Sequence, residues 1–144
     1  MWREIIIAMD PYSKFFPGTT TDQIITLEMA LSIKLPEELK NLLSESNGVR
    51  GEYDLRLLWS AEGIVQENLE MRTNVAYLEN YMPFENLLFF ADAGNGDMFA
   101  FSIIQGVIKR PVIFVWDHED DSRRCIAYSL QSFVERWLSG KLSI

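Results

Sequence analysis

The stretch FFADAGNGDMFAF at residues 89–101 decides how the second half of the chain folds. Apolar residues stand on both sides of the segment AGNG at 93–96, and an Asn-Gly pair readily adopts the positive φ angles of a tight turn. This pattern predicts a β-hairpin with strands at 87–92 and 97–104. A phosphate-binding loop does not fit, because neither glycine pattern of nucleotide-binding proteins is present and the turn leads into a strand instead of a helix.

The residues downstream of this hairpin predict two more strands and a closing helix. VIKRPVIFVWD at 107–117 has the composition of a strand, and Pro111 indicates a sheet edge or a bulge near its start. CIAYSL at 125–130 predicts a further short strand, in which Cys125 fills a small buried apolar position. Ser129 is the residue type that caps a helix, and the amphipathic segment after it predicts the last helix.

The first half of the chain consists mostly of predicted helices. Thr20 and Gln23 have the spacing of a capping box, which begins a helix over 20–32. Pro36 suits the first turn of the next helix, where its missing N–H costs nothing. The pair Asn47-Gly48 can supply the left-handed conformation that ends this helix.

Three more elements complete the predicted order. Residues 1–9 indicate a short helix, residues 53–59 a strand with Tyr53 and Trp59 on one side, and Ser60 a capped helix that ends near residue 71. Helices come first, then consecutive strands, then a final helix. That order predicts an α+β fold with an antiparallel sheet, in a single domain spanning 1–144.

The composition describes a folded, acidic protein. Of its 144 residues 48% are hydrophobic and 24% charged, which is typical of one globular domain. The net charge is −8, which disfavours nucleic acid and favours a basic partner, although solubility alone accounts for the charge equally well. The chain has no signal-peptide pattern and no apolar run long enough for a membrane, so we expect a cytoplasmic protein without a membrane partner.

The chemically reactive residues do not predict a catalytic or metal centre. Cys125 is the only cysteine, and residues 92–97 fail as an EF-hand loop because glycines stand at its third and fifth positions. The run DHEDD at 117–121 groups four carboxylates with the only histidine. No second histidine completes a metal site there, so a solvated acidic loop is favoured over acid–base or metal-dependent catalysis. We therefore expect no catalytic residue, metal or cofactor.

Four blocks of sequence follow one another in a fixed order: IKLPEELKNLLSESNG at 33–48, FFADAGNGDMFAF at 89–101, PVIFVWDHEDD at 111–121 and SLQSFVERWL at 129–138. Together they resemble the SMI1/KNR4 family, also called the SUKH superfamily. The resemblance covers approximately residues 20–139, and residues 1–19 match less clearly. It implies an α+β fold with helices flanking an antiparallel sheet, and a binding function without catalysis. Many bacterial members are immunity proteins that neutralise secreted toxins by binding them.

The resemblance also implies roles for particular residues. Gly94, Gly96 and Asp97 match the family's turn and would fix it, with Asp97 accepting backbone N–H bonds. Our first hypothesis is an immunity protein that sequesters a basic toxin domain, such as a nuclease, through carboxylates facing its lysines and arginines. These carboxylates are Asp92, Asp117, Glu119, Asp120 and Asp121. The alternative is a regulatory protein-interaction module without a toxin partner; a metal-dependent hydrolase ranks third, and the oligomeric state is left open.

Overall fold

Six α-helices and seven β-strands in two antiparallel sheets make up the computed structural model, which describes residues 1–144. The helices are α1 (Trp2–Met9), α2 (Thr21–Leu31), α3 (Glu37–Glu45), α4 (Ala61–Thr73), α5 (Val75–Asn80) and α6 (Leu130–Leu138). The strands are β1 (Lys14–Phe15), β2 (Val49–Arg50), β3 (Arg56–Leu58), β4 (Leu87–Asp92), β5 (Met98–Ser102), β6 (Ile113–Trp116) and β7 (Arg123–Ala127). Helices flanking antiparallel strands confirm the predicted α+β class.

Three helices begin at the polar side chains that the sequence indicates. Thr20 Oγ1 accepts the Gln23 backbone N–H and Gln23 Oε1 accepts the Thr20 backbone N–H, which completes the predicted capping box before α2. Ser60 and Ser129 each accept an N–H three residues on, and so cap α4 and α6. Each cap satisfies a donor that the first helical turn leaves without a partner in the helix.

Strands β4 to β7 form one four-stranded sheet in chain order. The hairpin between β4 and β5 is confirmed, with positive φ at Gly94 (+87°) and Gly96 (+108°). Strand β6 lies between β5 and β7, so the proline at 111 does not mark a sheet edge. It precedes a shift of register between Ile113 and Phe114, which agrees with the alternative prediction of a bulge.

The three-stranded sheet of β1, β2 and β3 shortens the predicted strand over 53–59 to β3 at Arg56–Leu58, and the sequence predicts neither β1 nor β2. Residues 52–54 form a 3₁₀ turn instead, in which Tyr53 has a φ of +59° and is 87% exposed. Strands of two or three residues are too short for hydrophobic alternation to reveal them. The Trp59 N–H donates to the Phe90 carbonyl over 3.0 Å and thereby connects the segment after β3 to β4.

An apolar core lies between the four-stranded sheet and the helices. Phe133 of α6 packs with its ring centroid 4.6 Å from that of Phe99 and 5.5 Å from that of Phe90. Helix α3 also buries an apolar stripe that consists of Leu39, Leu42 and Leu43. No helix combines the length and the hydropathy that crossing a bilayer requires.

The edge position of β7 overturns one prediction. The sequence predicts a buried Cys125, but its side chain is exposed. Strand β7 has a neighbouring strand on one side only, and its first residues are largely open to solvent. A short apolar-looking strand does not reveal from sequence whether it lies at the centre or the edge of a sheet.

Candidate functional site

Two loops meet at one end of the four-stranded sheet: the β4–β5 turn at 93–97 and the β6–β7 loop at 117–122. The four strands are antiparallel and lie in chain order, so the β5–β6 connection lies at the opposite end and these two loops share one end. Asp97 of the first loop contacts His118 of the second. Its Oδ1 atom lies 2.6 Å from His118 Nδ1 and also accepts the His118 backbone N–H over 3.1 Å. The acidic loop is therefore tied to the hairpin turn.

Gly96 makes this contact possible. A Cβ atom at this position would lie 2.9 Å from both Nδ1 and Cε1 of His118, so only glycine lets the imidazole approach. Its φ of +108° also lies in a region that side chains rarely adopt. Gly94 shares the positive φ but has nothing within 4 Å of the same position. The two glycines of the turn thus serve different purposes.

Each member of the Asp97–His118 pair changes the proton affinity of the other. The hydrogen bond with Asp97 raises the pKa of His118 above its ordinary value of 6.5, and the nearby charges of Glu119 and Asp117 act in the same direction. Burial favours the neutral form of Asp97, but the hydrogen bonds from His118 outweigh it and lower the pKa of Asp97 below 3.8. The pair therefore favours an ionised carboxylate beside a protonated imidazole.

We expect an NMR titration of His118 to give a midpoint above 6.5, and Asp97→Asn to lower it. His118 is the only histidine, so its imidazole signal is unambiguous. Because the folded state raises this pKa, the stability gained from His118 is fully present below the unfolded pKa and is lost as pH rises through the folded one. The contribution of Asp97 is lost at the acid end, as pH falls through its lowered pKa. An identical midpoint in Asp97→Asn would contradict the coupling.

Asp121 connects the acidic loop to the segment before β4. Its Oδ1 accepts Trp116 Nε1–H over 2.7 Å and an Arg123 N–H over 3.0 Å, and its Oδ2 accepts the Met82 backbone N–H over 2.9 Å. Burial alone would raise the pKa of Asp121, but these donors and the Arg123 charge lower it. Arg123 also donates to the carbonyl oxygens of Met82 and Pro83. Asp121 is thus an ionised, internally bonded carboxylate.

Asp92, at the end of β4, is bonded internally as well. Its Oδ2 accepts Trp59 Nε1–H over 2.8 Å and an Arg56 N–H over 3.3 Å, and its Oδ1 accepts the Gly94 backbone N–H. Arg56 also lies 3.5 Å from a carboxylate oxygen of Glu67 and over the Trp59 ring. The indole and guanidinium groups therefore fix the orientation of the Asp92 carboxylate.

The other three carboxylates of the predicted set lie in the loop itself. Glu119 and Asp120 are exposed, and Asp117 is half-buried. Asp117 accepts the Glu119 backbone N–H and Asp120 accepts that of Ser122, each over 2.9 Å, so both shape the loop from within. These bonds lower the pKa of Asp120. The loop thus fixes the Asp117 and Asp120 carboxylates through its own backbone and turns Glu119 and Asp120 to solvent.

One group of side chains has the composition of a cation site. Ligand atoms of Asp97, Asp117 and His118 lie within 4.8 Å of one another. The shortest of these distances is the 2.6 Å hydrogen bond between Asp97 and His118. This hydrogen bond uses Nδ1 of His118, so the arrangement is that of an ion pair between two loops.

The sequence did not reveal two residues that position these loops. The Tyr81 hydroxyl donates to the His118 carbonyl over 3.0 Å, and its ring packs edge-on at 5.1 Å from the Trp116 ring. Asn68 of α4 is fully buried and bonds both the N–H and the carbonyl of Phe89 in β4. The only signal in the sequence is indirect, because Tyr81 is a large aromatic residue of the kind that packs in a core.

Comparison with known proteins gives a family but no individual counterpart. No curated protein matches the chain. The sequence model of the family described as SMI1-KNR4 cell-wall matches residues 21–134, which contain both loops and all five carboxylates discussed above. This range agrees closely with the predicted extent of the resemblance, approximately residues 20–139. The match covers most of the chain, and the protein belongs to the SMI1/KNR4 (SUKH) superfamily.

Proposed function

We propose that this protein is an immunity protein that binds a toxin domain and neutralises it by sequestration, without catalysis. Family membership supports the proposal, because many bacterial members of the superfamily act in this way. The net charge of −8 indicates the kind of partner, since it attracts a basic domain such as a nuclease and accelerates the encounter with it. A nuclease binds the phosphates of its substrate with lysines and arginines, and these residues form such a basic surface.

The observation that carries the proposal is the fixed geometry of the acidic loop. His118 ties it to the β4–β5 turn, and Asp121 ties it to Met82 and Trp116. A loop held at several points loses little conformational entropy when a partner binds, so its charges are pre-organised for recognition. An unrestrained acidic loop would serve solubility equally well, whereas a restrained one suits a specific interface.

The five carboxylates divide into two roles in this proposal. Glu119 and Asp120 are exposed, and with Asp117 they would face cations of the partner. Asp92 and Asp121 are occupied by internal donors, so they would add to the negative potential and hold the loop in shape. The turn that contains Gly94, Gly96 and Asp97 would hold the acidic loop in place through the contact between Asp97 and His118.

Growth of bacteria that produce a toxin domain provides the test. The domain to use is the variable C-terminal domain of a secreted protein encoded beside the gene for this chain. Co-expression should restore growth, and the two purified proteins should form a complex. Failure to bind or protect against any such domain would overturn the proposal. Binding to a host protein instead would favour the regulatory interaction module.

Removing the two exposed charges should slow capture of the toxin domain. We expect Glu119→Gln combined with Asp120→Asn to reduce the association rate about fivefold at low salt, and to flatten its salt dependence. Stopped-flow measurements of the association rate at several ionic strengths test this expectation. The matched control is Glu4→Gln with Glu52→Gln, which removes the same charge from two exposed carboxylates elsewhere. Equal association rates for the two double variants would show that Glu119 and Asp120 have no special role in the encounter with the toxin domain.

A further inference from the structure

Met82 has an unusual environment beside the acidic loop. Its backbone is fixed on both sides, because the N–H donates to Asp121 and the carbonyl accepts from Arg123, both over 2.9 Å. Its side chain nevertheless is 65% exposed. Exposing a large apolar side chain gives up the stabilisation that burial would supply. A methionine held rigidly by its backbone and turned to solvent is pre-organised for contact with a partner.

The helix before Met82 also exposes apolar side chains. Val75 and Leu78 lie three residues apart on α5, hence on one face of the helix, and are 64% and 52% exposed. Tyr77 lies on the opposite face and packs against the Tyr81 ring, with the centroids 6.1 Å apart. One face of α5 is thus attached to the molecule, while the other presents apolar side chains without a partner in the chain.

The segments that carry and adjoin these apolar side chains are rich in carboxylates. The two segments that form the surface, 75–86 and 117–122, contain two and four carboxylates respectively, and neither contains a lysine or arginine. Glu79, Glu85, Glu119 and Asp120 are exposed. The neighbouring cation Arg123 is already engaged by Asp121, and the charge of Arg124 contributes to lowering the pKa of Asp120. Apolar side chains beside segments rich in carboxylates are complementary to a partner segment that combines apolar side chains with cations.

We infer that Met82, Val75 and Leu78 form the apolar centre of the docking surface, and that this surface accepts a basic amphipathic helix of the partner. The inference rests on the proposed function and specifies the chemistry of the partner's binding segment. Leucine-like side chains of that helix would pack on Met82, whose flexible thioether adapts to different shapes. Its lysines or arginines would face Glu79, Glu119 and Asp120. The apolar contacts would then determine the lifetime of the complex, and the charges would determine the rate at which the two proteins associate.

Short synthetic peptides test this inference before the natural partner is identified. The probe is a leucine–lysine peptide with an amphipathic helical pattern; one comparison peptide replaces its leucines with serine and another replaces its lysines with glutamate. NMR spectra of the labelled protein should show shifts of the Met82 methyl and of the 117–122 amides with the leucine–lysine peptide only. Met82→Ser should weaken its binding about tenfold. The control Met29→Ser, a methionine 75% exposed on α2, should leave binding unchanged.

Two results would overturn the inference. One is a leucine–lysine peptide that binds equally well to Met82→Ser, because attraction would then come from net charge alone. The other is a set of NMR shifts located away from α5 and the acidic loop. The toxin assay separates this inference from the proposed function. If the wild type and Met82→Ser neutralised a toxin domain equally well, the proposed function would be supported and the inferred docking surface would be contradicted. Peptide binding that depends on Met82 would support the surface even if no toxin domain were neutralised.

Discussion

Replacing Asn68 with leucine should lower the free energy of unfolding by about 3 kcal/mol. The fully buried Asn68 amide donates to the carbonyl oxygens of Ile64 and Phe89, over 2.7 and 2.8 Å, and accepts the Phe89 N–H over 2.9 Å. Leucine has the same branched arrangement of side-chain heavy atoms but offers neither donor nor acceptor. The N–H and carbonyl of Phe89 would then be buried without partners, and each such group costs about 1–3 kcal/mol.

Chemical denaturation of the purified variant measures this loss. The matched control is Asn80→Leu, because Asn80 is exposed on α5 and its amide donates to the Ala76 carbonyl. We expect the control to change stability by less than about 0.5 kcal/mol, as surface substitutions usually do. A loss below about 1 kcal/mol at Asn68 would contradict the assignment, since it would mean that the Phe89 groups find other partners.

Asn68 also shows why sequence predicts only part of the fold. Thr20, Ser60 and Ser129 cap helices by bonding an N–H three residues away, so their spacing alone reveals the helix starts. Asn68 bonds Phe89, which lies 21 residues further along the chain. In a helix pattern a polar residue normally indicates the solvent side, and nothing near Asn68 in the sequence distinguishes this buried position.

The acidic loop follows the same division between local and distant contacts. Its composition is visible in the sequence, and so is its place after a strand. Which carboxylates are free is not visible, because that depends on indole donors: Trp116 lies five residues before Asp121, and Trp59 lies 33 residues before Asp92. The tie between Asp97 and His118 spans 21 residues and likewise leaves no local pattern. The sequence therefore indicated an acidic loop, and the tertiary structure shows which of the carboxylates are bonded internally.

Gly96→Ala should destabilise the protein more than Gly94→Ala, although both glycines belong to one turn. At Gly94 the expected loss is about 1–2 kcal/mol, the ordinary cost of a side chain at positive φ, because a new methyl group would meet nothing within 4 Å. At Gly96 the φ of +108° is less accessible still, and the methyl group would meet the His118 ring at 2.9 Å. The imidazole would have to move away from Asp97.

The two variants should therefore differ in a property that stability alone does not report. We expect Gly96→Ala to shift the His118 titration midpoint downward towards that of Asp97→Asn, because the hydrogen bond that raises this pKa would be broken. Gly94→Ala should retain the raised midpoint. NMR titration and chemical denaturation of both variants measure the two effects on the same samples. A raised midpoint that survives in Gly96→Ala would show that the ring and the methyl group fit together. Glycine would then be needed at position 96 for its backbone conformation alone.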